Sequence, residues 1–119
     1  MDGLPLAWRF SACDKGGAWA WTSLDAAGKY KRVLEKLHQF ETMNWSEIKR
    51  GGSHPVEVSM LAKGARDRLT QIKQNDLDDL MSFHLTGKNR VWCVRDRNIM
   101  KVLWWDPDHT VCPSIKKHT

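Results

Sequence analysis

The stretch Arg90-Val91-Trp92-Cys93-Val94-Arg95-Asp96-Arg97-Asn98-Ile99-Met100-Lys101-Val102-Leu103-Trp104-Trp105-Asp106-Pro107-Asp108-His109 decides the fold. Residues 90–94 and 99–105 are rich in β-branched and aromatic side chains, and Arg95-Asp96-Arg97-Asn98 between them carries the Asp and Asn chemistry of a tight turn. The two runs therefore read as a hairpin. Residues 99–105 are almost continuously apolar, which predicts a central strand. Trp104 and Trp105 are adjacent, so in a strand they face opposite sides of the sheet. Asp106-Pro107-Asp108 stops the strand and presents His109.

Working upstream, Met81, Phe83 and Leu85 alternate with Ser82, His84 and Thr86, a half-buried strand that ends at the Gly87-Lys88-Asn89 turn. The chain thus closes on a three-stranded antiparallel meander. Three helical stretches precede it. Ser23 is a plausible N-cap for a helix over 23–40, with Tyr30, Val33, Leu34, Leu37 and Phe40 on one stripe and Lys29, Lys31, Arg32, Lys36 and Gln39 on the polar side. Asn44 and Glu47 form the two ends of a capping box for a short helix to about 50. Ser59 caps a helix over 60–73 that buries Leu61, Ala65, Leu69 and Ile72, weakened by about 1 kcal/mol at Gly64. His54-Pro55 reads as a turn or an extended pair, because proline disfavours helix at the residue before it. Leu6, Trp8 and Phe10 alternate as a first strand over 6–10. The expectation is one α+β domain over 1–119, with helices packed on one sheet face and the other face partly open.

The totals fit that expectation. A chain of 119 residues with 41% apolar and 28% charged residues has the balance of a globular domain. It has no apolar run long enough for a membrane span and no basic-then-apolar leader at its start, so no membrane partner is expected. Cys13, Cys93 and Cys112 are odd in number and widely spaced, which suits free thiols in a cytoplasm. The net charge is +5, which favours polyanion partners through phosphate contacts. Lys88, Arg90, Arg95, Arg97 and Lys101 cluster on the closing strands against Asp96, and Lys116 and Lys117 lie at the end of the sequence. Seven tryptophans serve either core packing or base stacking.

Strong motifs of nucleotide, redox or zinc-protease chemistry are absent from the sequence, and the spacing of His109, Cys112 and His118 matches no usual zinc set. No metal or cofactor is therefore expected. What remains is His with Arg and Lys, a set sufficient to cleave RNA without metal. A base takes the 2′-hydroxyl proton, an acid protonates the departing 5′-oxygen, and a cation neutralises the phosphorane. His109 is the candidate for proton transfer, and Arg90 and Arg95 are the candidates for the phosphate. His84 stands opposite Phe83, on the polar face of its strand. Each has a plainer reading. His109 can close its turn on a backbone carbonyl, Arg90 and Arg95 can be a solvated charged edge, and Asp106 or Asp108 can form the turn or orient His109.

The order strand, helices, strand, strand, strand, with an Arg-bearing strand before a last strand that ends near His109, resembles the RelE/ParE/YoeB superfamily of toxins. That resemblance implies a helical pair packed on a small antiparallel sheet, Arg90 or Arg95 against phosphate, and His109 in proton transfer. It also implies a cognate antitoxin and RNA or the ribosome as target. Lys88, Arg97, Lys101, His84, Lys116 and Lys117 would then contribute to nucleic-acid binding. The chain departs from the pattern in lacking a final-strand Tyr, and Lys36 and Glu47 are the candidates for a helix-borne Lys or Glu. Residues 86–92, 103–109 and 116–119 are also similar to a set of bacterial and phage proteins. Two other readings of the same basic face remain open: a non-catalytic RNA-binding or phage-related interaction module, and a gyrase-directed toxin of the ParE type.

Overall fold

The computed structural model describes residues 3–26 and 28–113. In chain order the elements are β1 (Ala7–Arg9), α1 (Ser23–Ala26), α2 (Tyr30–Glu41), α3 (Trp45–Arg50), β2 (His54–Glu57), a 3-10 turn (Val58–Met60), α4 (Lys63–Gln71), β3 (Asp79–His84), β4 (Arg90–Asp96) and β5 (Ile99–Asp106). The protein is α+β. Its sheet has five strands in the order β1-β5-β4-β3-β2, parallel between β1 and β5 and antiparallel elsewhere.

The three-stranded meander is present as β3, β4 and β5, but it is the middle of a larger mixed sheet. β4 is the geometric centre, and β5 lies between it and β1, so the nearly continuous apolar run of β5 marks an interior strand rather than the central one. One edge was legible as a strand in the sequence and the other was not. The first strand shrinks to Ala7–Arg9 and joins by parallel pairing with Ile99, Met100 and Lys101. His54-Pro55, read as a turn or an extended pair, opens edge strand β2, which pairs His54 with Ser82 and Pro55 with Met81. Proline is tolerated there because an edge strand leaves one side of its backbone unpaired.

The helices also shift. The stretch over 23–40 breaks at Gly28, whose φ of +63° no helix allows, so α1 is one short turn and α2 starts afresh at Tyr30. The box on α3 forms as the sequence predicts: the Asn44 side chain accepts from the Glu47 N–H and the Glu47 carboxylate accepts from the Asn44 N–H. Ser59 caps nothing. It sits in the 3-10 turn, and extended backbone at Leu61 and Ala62 delays α4 to Lys63.

The main correction concerns the sheet faces, because both are covered. On one face α2 and α3 bury Val33, Leu37, Phe40, Trp45 and Ile48 against Met81, Phe83, Val91, Cys93, Met100, Val102 and Trp105. On the other, Leu61 ahead of α4, Ala65 and Leu69 of α4 and Val111 after β5 are buried against Leu80, Trp92, Leu103 and Trp104. An irregularity in the β4–β5 register lies between Trp92 and Cys93, where the partner changes from Trp104 to Val102 and leaves Leu103 without a partner. That bulge turns Leu103 and Trp104 to the same side, while Trp105 enters the opposite core. A sheet buried on both faces explains why β5 has almost no polar alternation.

The second core contains two buried carboxylates. Asp14, 5% exposed, receives Arg68 Nη2 at 2.7 Å, Arg68 Nε at 2.8 Å and the Trp104 indole N–H at 2.8 Å. This bidentate pair fastens α4 to the loop beside β5. Burial alone would raise the Asp14 carboxyl, but the bonds from Arg68, Trp104 and Gly16 outweigh it and hold the group below its ordinary 3.8.

Replacing Asp14 by Ala is expected to destabilise the fold by about 3 kcal/mol, since it strands a buried indole N–H and a guanidinium. Urea denaturation at neutral pH measures this. Because the folded carboxyl lies below 3.8, its contribution is present above that pH and lost as the pH falls through the folded value. The stability gap between wild type and Asp14→Asn should accordingly narrow in acid.

Candidate functional site

Asp106 ends β5 with its side chain fully buried. Its carboxylate accepts from the Trp92 indole N–H at 3.1 Å, the Thr110 N–H at 2.9 Å, the Thr110 hydroxyl at 3.2 Å and the Val111 N–H at 3.0 Å. These bonds fold residues 107–111 into a turn around the acid. A second clamp comes from outside, where Asn89 Nδ2 donates to the Pro107 carbonyl at 2.9 Å and joins this turn to the one between β3 and β4. Held from both sides, His109 adopts a left-handed backbone with φ of +60°. Such a conformation is uncommon for a residue with a side chain and depends on its surroundings.

Arg90 pairs with Asp106 across the ladder. Its Nη1 donates to the Gly87 carbonyl at 2.8 Å and the Asn89 carbonyl at 3.1 Å, which directs the guanidinium along the turn. Past the edge of the second core, Arg90 and His109 line a cleft of about 320 Å³ together with His54, Ser82, Trp92 and Cys112. His54 is exposed on edge strand β2, with Nδ1 3.0 Å from the Pro55 carbonyl. Trp92, 1% exposed, forms the closed end of the cleft and offers no ring face for stacking.

The electrostatics separate the groups. Burial lowers His109 from its ordinary 6.5, the Arg90 charge lowers it further, Asp106 opposes, and His54 adds a small push down. At neutral pH His109 is therefore a neutral imidazole, able to accept a proton. Burial lowers Arg90 while Asp106 supports its charge, and a guanidinium in this environment stays protonated. Burial first, and Asp106 second, raise the Cys112 thiol above 9.0. Cys13 is pushed up to about 11 by burial, and complete burial raises Cys93 well above its ordinary value. Thiols shifted in this direction are poor nucleophiles.

The expected cationic surface is divided. Arg90 and exposed Lys88 stand at the His109 end of the hairpin. Arg95 lies five residues along β4, roughly 17 Å away at strand rise, with its guanidinium 4.6 Å from the centre of the Trp45 ring, a member of the opposite core. Arg95 and His109 therefore do not share a phosphate, because strand alternation over an odd offset sends Arg95 to the other face. Arg97 occupies the far turn, and Lys101 lies 3.8 Å from Asp96 there. His84 does not face the cleft. Its Nδ1 lies 2.9 Å from the Gly51 carbonyl and its Nε2 3.2 Å from the Gly87 carbonyl, so its ring sits between two loops. Lys116, Lys117 and His118 lie outside the described residues.

His54 is the cleft residue that sequence reasoning missed. Its only signal was its place before Pro55, and its meaning appears once β2 pairs with β3 and sets it beside Ser82. Among the described residues no group of three or more His, Cys, Asp or Glu side chains is arranged to hold a metal ion, and no helix is long and apolar enough to cross a membrane. No family model, curated protein or solved structure matches the chain.

Two outcomes test this geometry. In a proton NMR titration the His109 ring should titrate below 6.5, and Arg90→Ala should move it upward by removing a cation beside it. Because φ at residue 109 is +60°, His109→Gly should be more stable than His109→Ala by about 1 kcal/mol in urea denaturation.

Proposed function

We propose that the protein is a metal-independent endoribonuclease of the toxin type, acting at the cleft formed by His109, Arg90 and His54. The observation that carries this reading is the meeting of a neutral imidazole, a second imidazole and a guanidinium in one cleft. Those are the parts an in-line attack by a 2′-hydroxyl requires.

In this reading His109 takes the 2′-hydroxyl proton as the oxygen attacks the adjacent phosphorus. Arg90 neutralises the charge that accumulates on the equatorial oxygens. His54 gives a proton to the departing 5′-oxygen, leaving a 2′,3′-cyclic phosphate and a free 5′-hydroxyl. Overall the P–O2′ bond forms as the P–O5′ bond breaks, one proton passing from the 2′-hydroxyl to His109 and one from His54 to the 5′-oxygen. Lys88, exposed at the same end of the hairpin, adds long-range attraction for the phosphate backbone.

The toxin part rests on the resemblance of the closing strands. A helical pair, α2 and α3, packs on the sheet, an Arg-bearing strand precedes the last strand of the sheet, and that strand ends close to a histidine. This is the arrangement that the RelE/ParE/YoeB resemblance implies. The fifth strand and the helix on the second sheet face are departures from it, and they make a cleft of what would otherwise be an open face. In the toxin reading the cellular target is RNA, free or on the ribosome, and an acidic or apolar antitoxin segment covers the basic end.

The purified protein should cleave RNA in the presence of EDTA and leave cyclic phosphate ends. Loss of a general acid–base group removes about 10²- to 10⁴-fold of rate, so His109→Ala and His54→Ala should each fall in that range, with Arg90→Ala comparable. A 2′-deoxy substitution at the scissile position should abolish the reaction. Intact RNA with wild-type protein, or unchanged rates in all three variants, overturns the reading. Salt-sensitive binding without cleavage would instead mark a binding module, and replication arrest without RNA loss a gyrase-directed toxin.

A further inference from the structure

The His109 cleft continues past the turn between α3 and β2. Gly52 lines it, with φ of +101°, and a Cβ on Gly52 would touch the His84 ring at 3.4 Å. His84 is in turn the wall of a second cleft, of about 300 Å³, on the other side of the same turn. The two clefts thus share one narrow partition, made of Gly51, Gly52 and His84. In that partition His84 lies between the Gly51 and Gly87 carbonyls, and Arg90 donates to the same Gly87 oxygen.

The lining of the second cleft has a mixed chemistry. Phe40 and Leu85 are buried and Met43 is half-buried, which makes an apolar floor. Half-buried Lys36 supplies a cation, and exposed Gln39 supplies an amide at the rim. A nucleotide has the complementary parts: a flat apolar base, hydrogen-bonding edges and an anionic phosphate. We propose that this second cleft binds the nucleotide next to the scissile dinucleotide on an RNA strand that crosses the Gly51–Gly52 turn, with Lys36 against its phosphate and Gln39 at the base edge. The proposal rests on the reading of the His109 cleft as a site of RNA cleavage. Charge alone would also suit an acidic peptide, but the apolar floor with a single cation and a single amide fits one nucleotide better than a run of carboxylates.

The test uses all-2′-O-methyl oligoribonucleotides of mixed sequence, which resist 2′-hydroxyl attack, with binding followed by fluorescence anisotropy. A dinucleotide fills the first cleft alone, and a tetranucleotide reaches the second. Lys36→Glu should weaken tetranucleotide binding by about tenfold and reduce its salt slope by about 0.7, as for one lost single-strand phosphate contact, and leave dinucleotide binding unchanged. Gln39→Ala, an exposed substitution that spares the core, should weaken the tetranucleotide selectively by a smaller factor. Equal effects on both oligonucleotides, or no effect on either, overturns the second site while leaving the cleavage reading to its own assay. Displacement of the tetranucleotide by an Asp/Glu-rich peptide in wild type but not in Lys36→Glu, with Gln39→Ala silent, would assign the cleft to a protein segment and overturn the proposal. Failure of wild type to bind either oligonucleotide removes the second site and the cleavage site together.

Discussion

The architecture depends on a carboxylate placed where carboxylates are seldom found. Asp106 is fully buried at the end of a strand that lies inside the sheet, and it stays there because four donors surround it. Without them, desolvation of the charge would exceed any gain from packing. With them, the acid becomes the point on which the chain reverses. The indole N–H of Trp92 faces one oxygen, the backbone of 110 and 111 wraps around both, and His109 emerges from that wrap in a left-handed conformation. The same charge acts electrostatically on His109 and Arg90. One side chain therefore sets the position, the backbone strain and part of the electrostatics of the cleft.

Asp14 does comparable work at the other end of the second core. It receives the Trp104 indole as Asp106 receives that of Trp92, and it holds Arg68 of α4 in a forked pair. Two tryptophans that face each other across the β4–β5 ladder thus each send their polar atom to a buried acid. This arrangement solves a specific problem. A Trp ring adds large apolar area to a core but brings an N–H that must be met. Meeting both N–H groups with carboxylates lets β4 and β5 carry indoles on a face that α4 can still close. Among the described residues no buried side-chain nitrogen or oxygen lacks a partner.

Much of this was legible in the order of residues. The hairpin, the capping box on α3, the opposite facing of Trp104 and Trp105 and the stop at Asp106 are local properties, written in turn chemistry, cap chemistry and strand alternation. His109 and Arg90 were legible as candidates for the same reason, since each lies next to a strand end that the pattern marks. Arg95 shows the limit. It is as basic as Arg90 and stands on the same strand, yet it lies over Trp45 on the opposite face, five residues and about a strand's length away from the His109 end. His54 shows the converse, a residue with no local signal that pairing between β2 and β3 brings into the cleft.

By itself, the sequence determined the α+β class, the closing hairpin and the turn that carries His109, because each follows from interactions among residues close along the chain. Only the tertiary structure decided that the sheet has five strands and two covered faces. β1 reads as a strand, but nothing local says that it pairs in parallel with a strand some ninety positions later, as Ala7 does with Ile99, and β2 opens on a His-Pro pair that reads equally as a turn. The second face is closed by α4, whose commitment depends on an ion pair between Arg68 and Asp14, partners separated by 54 positions. Long-range pairing and a buried charge network carry no periodicity, so they become visible only when the chain has been folded onto itself.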